Sequence, residues 1–83
     1  ELEVLCMVRL NELAPGSRCR IDSLETRGPM RRRLRELGLV EGTAVTCLGR
    51  SPLGDPGAYG VLGAVIALRD RDAAGVLVER TMP

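Results

Sequence analysis

Residues 59–68 read YGVLGAVIAL, the longest apolar run in the chain. A membrane-crossing helix needs roughly 20 such residues, and this run is about half that length with glycines inside it. The run is therefore not read as a membrane span. Residues 61–69, VLGAVIALR, supply a branched, aliphatic strand, and Gly63 marks a bulge or sharp bend within it. Short, bent, aliphatic strands with glycine at the corners favour a small barrel over an open sheet.

The neighbouring segments extend this pattern. Residues 43–48, TAVTCL, are β-branched and alternating, and residues 75–79, GVLVE, close the chain with another strand. Residues 18–24, RCRIDSL, set Cys19 and Ile21 against Arg18, Arg20 and Asp22, the period-2 signature of a half-buried strand, and the Pro15-Gly16 turn precedes them. Residues 9–13 form a short helical or extended lead-in over one end of the barrel. Residues 51–60, SPLGDPGAYG, are rich in Pro and Gly and are expected to be the longest exposed loop. The expectation is four or five short strands and one helix, in a mostly β domain.

The helix is read from residues 29–37, where Met30, Leu34 and Leu37 fall at i, i+4 and i+7 on one face. Pro29 suits the first turn, Gly38 the left-handed position after the last, and Leu39 the apolar residue that folds back. Two and a half turns are marginal alone, so this helix needs a sheet to pack on.

Composition limits the chemistry. The 83 residues suffice for one domain, residues 1–83, with an aliphatic core and Tyr59 as the single aromatic. All 12 basic residues are Arg, with no Lys and no His. That removes Schiff bases, P-loop lysines and the usual Ser-His or Cys-His dyads, so no catalytic residue is assigned and the chain is not read as an enzyme. Net charge is +1, but residues 9–35 hold eight Arg against Glu12, Asp22 and Glu25, which gives +5 for that stretch. Cys6, Cys19 and Cys47 form no C-x-x-C pair and read as free thiols in a reducing, cytoplasmic setting. The start ELEVLCMVRL lacks the positive n-region of a signal peptide. It also opens on Glu1, not Met, so part of residues 1–8 is expected to be foreign to the natural chain.

Three motifs imitate sites. DRDAAG at residues 70–75 begins like a calcium loop, but Ala74 and Thr81 stand where ligands are required. It reads as a turn capped by Asp70 or Asp72. LGDPG lacks the G-K-[ST] of a phosphate cradle. Ferrous iron has no imidazole here, and Glu1, Glu3 and Cys6 would be a scattered ligand set, so no metal or cofactor is assigned. The arginine run RRRLRE lacks the aromatic platforms of nucleic-acid modules, and no nucleic acid is expected.

The ordered landmarks are LAPGSRCRI at 13–21, RRLRELGLVEGTAV at 32–45 and SPLGDPGAYGVLGAVIALRDRDAAGVLVE at 51–79. Together they resemble the FeoA family over roughly residues 10–79. The resemblance implies an SH3-like small β-barrel with one short α-helix. It also implies a cytoplasmic bacterial accessory of FeoB, the membrane ferrous-iron permease, whose N-terminal GTP-binding domain is the expected partner. On that footing Met30, Arg31, Arg33 and Arg35, with Leu39, Val40, Glu41 and Gly42 in the following turn, are taken as the partner-binding face. Another copy of the chain, as a homodimer, is the alternative occupant. The alternative function is a metal-responsive regulatory or nucleic-acid-binding barrel.

Overall fold

The computed structural model describes residues 4–82, so Glu1 and Glu3 lie outside it. Six strands form one antiparallel sheet: β1 (Val4–Arg9), β2 (Arg18–Leu24), β3 (Ala44–Arg50), β4 (Gly57–Val61), β5 (Ala64–Leu68) and β6 (Val76–Met82). Helix α1 (Pro29–Glu36) joins β2 to β3, and a single helical turn, α2 (Asp70–Ala73), joins β5 to β6. The strand order is β1-β6-β2-β3-β4-β5, so β1 and β5 are the two end strands. Register slips at Asp22 in β2 and Leu48 in β3 bend the sheet into a barrel-like curl.

The core is aliphatic and wraps one aromatic ring. Leu10, Leu34, Leu39, Val45, Tyr59 and Val78 are among its fully buried members. Strand β2 buries Cys19 and Ile21 and exposes Arg18 and Arg20, as its alternation predicts. Cys19 and Cys47 are buried free thiols. Residues Leu10–Glu12 form a 3-10 turn in which the Arg9 N–H donates to Glu12 Oε1 at 2.7 Å. Arg50 ties β3 beneath this turn by donating to the carbonyls of Asn11 and Leu13.

The structure corrects four sequence expectations. Val4–Arg9 is an integral strand, paired along its whole length with β6, where no strand was expected. The stretch 61–69 is two strands, because Leu62 and Gly63 adopt φ of 51° and 80° and reverse the chain, pairing Val61 with Ala64. The exposed loop is shorter than expected, since Gly57–Val61 belongs to β4. The acidic turn is a helical turn capped from elsewhere: Asp55 Oδ1 accepts the Asp70 N–H at 2.8 Å, while Asp70 Oδ1 accepts from Asn11 Nδ2. Asp70 and Asp72 instead sit in the first turn of α2, where the helix dipole favours them.

Candidate protein-interaction site

Helix α1 begins with Pro29 after Gly28, which carries no side-chain cap. It ends in a Schellman motif. The Leu39 N–H donates to Leu34 O at 3.0 Å and the Gly38 N–H to Arg35 O at 3.0 Å, with Gly38 at φ 103°. Leu34 is fully buried, and Met30 and Leu37 pack half-buried against the core. The turn that follows is stapled to β2: Gly42 N–H donates to Ile21 O at 2.8 Å, and Arg20 Nη1 to Gly42 O at 3.1 Å. A short helix is thus held rigidly against the sheet at both its apolar face and its C-terminal end.

The outward side of α1 is cationic. Arg31, Arg32, Arg33 and Arg35 are all exposed. Among the described residues the one ion pair is Arg9–Glu25, on another part of the surface, so none of the four guanidiniums is ion-paired with a carboxylate. Arg31 and Arg35, one helical turn apart, face a groove shared with Asp22, Ser23, Val40 and Glu41. Arg32 and Arg33 border a second groove with Pro29 and Glu36. The first turn of α1 contains no acid, and Arg31 and Arg32 occupy its positive end. Cations there cost about 0.3–1 kcal/mol each in an exposed helix. Arg33 and Arg35 lie in the last turn, where the dipole welcomes them.

The expected face is therefore partly assembled. Arg31, Arg33, Arg35, Glu41 and Gly42 are exposed and Val40 is half-buried. Met30 is shared between core and surface. Leu39 is not on this face: its side chain is wholly buried, because the Schellman turn folds it under the helix. Arg32 was missing from the expected set, yet it borders the groove with Pro29, Arg33 and Glu36 and a further one with Arg31, Arg35 and Val40. Its place on the helical wheel, opposite Leu34, was the available signal.

Among the described residues no cluster of three His, Cys, Asp or Glu groups comes together as a metal site, and no helix is long and apolar enough to cross a membrane. A small, curled β-sheet domain with one exposed cationic helix is the class defined here, and it is the SH3-like class. The solved FeoA of Stenotrophomonas maltophilia, described as a procaryotic SH3 domain protein in complex with zinc, superposes with TM-score 0.77 at 32% identity, covering 86% of this chain and 88% of that one. The chain belongs to the FeoA family, whose domain model matches residues 8–80.

Two further relatives are similar. The FeoA protein of Chlorobium tepidum superposes with TM-score 0.81 at 37% identity, covering 86% of this chain and 68% of that one. The Fe(2+) transport protein A/Fe(2+) transporter FeoB fusion protein of Porphyromonas gingivalis is 39% identical over 72 residues, 87% of this chain. This chain spans 8% of the length of that fusion.

Proposed function

We propose that this domain is a cytoplasmic, non-catalytic accessory of ferrous iron uptake that docks on a FeoB-type permease through α1. The relative that joins the two functions in one polypeptide supports the partnership, since fusion holds two modules at high effective concentration. The observation that carries the docking surface is the set of four arginines on one short helix, none of them in an ion pair among the described residues and two of them at the end where the dipole opposes them. An acidic surface on the permease's GTP-binding domain relieves that repulsion and matches the planar, multidentate guanidinium donors. Val40 and the stem of Met30 supply apolar contact beside the charges, and the stapled Glu41-Gly42 turn fixes their geometry. The role is regulatory or assembly-related, acting on the permease.

Titration calorimetry of the purified domain against the GTP-binding domain, with and without a GTP analogue, tests this reading. Binding that weakens steeply with salt and vanishes in R31E/R35E is the expected result. Unchanged binding by that variant overturns α1 as the docking face, and no binding in either nucleotide state overturns the assignment to that domain.

A further inference from the structure

The end strand β5 carries a second surface, separate from the α1 arginines. It ladders with β4 on one side, and among the described residues no strand pairs with its other side. Natural edge strands are usually protected by a charge, a proline or a bulge. Here residues 61–68 contain neither charge nor proline, and the β4–β5 register runs without a slip. Val65 is 70% exposed on the outer face, with Ala67 exposed beside it, and Ile66 is half-buried on the inner face. Leu48, 50% exposed on β3, lies close to Gly60, the residue that pairs with Val65, and so extends the apolar surface inward.

We propose that a second copy of this chain adds antiparallel to the outer edge of β5, with Ile66 on the two-fold axis. Ile66 is the central residue of Ala64–Leu68, so this register lets the full strand pair with itself. Ala64 then faces Leu68 of the second copy, Val65 faces Ala67 of the second copy, and Ile66 faces Ile66 of the second copy. Every facing pair is aliphatic on both sides of the sheet. The first charge beyond the ladder, Arg69, lies opposite Gly63 of the second copy, so no like charges meet at the joint. A copy of the chain is thus the occupant that leaves no charge buried and no unmatched polar side chain. One five-residue ladder with its flanking side chains falls below the roughly 1,200 Å² of a stable standard interface. The dimer is therefore concentration-dependent and reversible.

Sedimentation of the full chain from micromolar to millimolar concentration tests the proposal. The expected result is a monomer–dimer equilibrium that V65K and A67E each weaken about tenfold or more, with circular dichroism unchanged because both positions are exposed. An equimolar mixture of the two variants re-forms a dimer, since the new ammonium of one chain faces the new carboxylate of the other across the axis. A wild-type chain that stays monomeric at millimolar concentration overturns the proposal. So does a dimer that V65K leaves intact, or a mixture that associates no better than its components.

Discussion

Leu62 rests on the backbone of Gly38, joining the tip of the β4–β5 hairpin to the end of α1. Its Cδ1 lies 2.7 Å from where a Cβ on residue 38 would stand, and Val61 Cγ1 lies at 3.1 Å. Gly38 is also at φ 103°, where an L side chain is strained. G38A is expected to cost about 1–2 kcal/mol from the backbone alone, with more from the contact. Leu62 is 76% exposed and can move aside, whereas Val61 is buried and cannot. In urea unfolding, G38A/V61A should therefore be less destabilised than the sum of its single changes, by about 0.5 kcal/mol or more.

A tighter approach occurs at Gly75. A Cβ there would meet Thr26 Oγ1 at 2.0 Å and the Thr26 backbone nitrogen at 3.4 Å. The end of β2 lies over the α2–β6 joint, where the Glu25 N–H donates to Gly75 O at 2.7 Å and Arg9 Nη1 donates to Ala74 O. G75A must displace the Thr26 side chain and is expected to cost about 1–3 kcal/mol. Adding T26A removes the hydroxyl and should return part of that loss, measured by the shift in urea midpoint at constant slope.

These two glycines show how much of the fold could be read in advance. Pro29 and Gly38 punctuate α1 by local rules that need no tertiary context, so the helix and its end were legible. Cys19 and Ile21 alternate with charges, so β2 was legible too. Val4–Arg9 is apolar at nearly every position, which hides a period of two, and only its pairing with β6 makes it a strand. Gly57 and Gly60 read as loop residues, but they lie within β4. A Cβ on Gly57 would stand 2.9 Å from the Tyr59 hydroxyl, so close packing requires a glycine there, whereas one on Gly60 would make only ordinary contact with Leu48. Leu62 at φ 51° could not be anticipated, since leucine rarely adopts that conformation. For the candidate site, the arginines were legible as surface, whereas Leu39 was read both as folding back and as facing a partner. Burial settles it as the former.

The two acid–base predictions concern groups the core keeps neutral. Burial pushes the Tyr59 phenol above its ordinary value of 10.0, against the opposing charge of Arg50, and pushes the Cys19 thiol above 9.0, against Arg80. In both cases the folded protein holds its proton more tightly than the unfolded chain. Stability is therefore full below the unfolded values and falls as pH rises through about 9 and then about 10 towards the folded ones. Among the described residues the buried Tyr59 hydroxyl has no hydrogen-bond partner, Arg50 being engaged by the carbonyls of Asn11 and Leu13. Y59F should accordingly leave stability at neutral pH unchanged or slightly raised. It should also flatten the alkaline loss, which urea midpoints from about pH 8 to about pH 11 will show.

The arginines at the start of α1 give a prediction in which stability and binding move in opposite directions. Arg31 and Arg32 sit at the positive end of the helix dipole, and among the described residues neither is ion-paired, so each opposes folding slightly. R31E and R32E should each raise stability by roughly 0.3–1 kcal/mol at low ionic strength, an effect that shrinks as salt is added. If these side chains serve only as a solvated face, that gain carries no penalty. If they meet an acidic partner, the same substitutions place like charges across the interface, and association slows most at low salt. Thermal unfolding and binding kinetics on the same two variants, at low and high salt, separate the cases. A variant that gains stability and loses association identifies α1 as a surface kept cationic for contact.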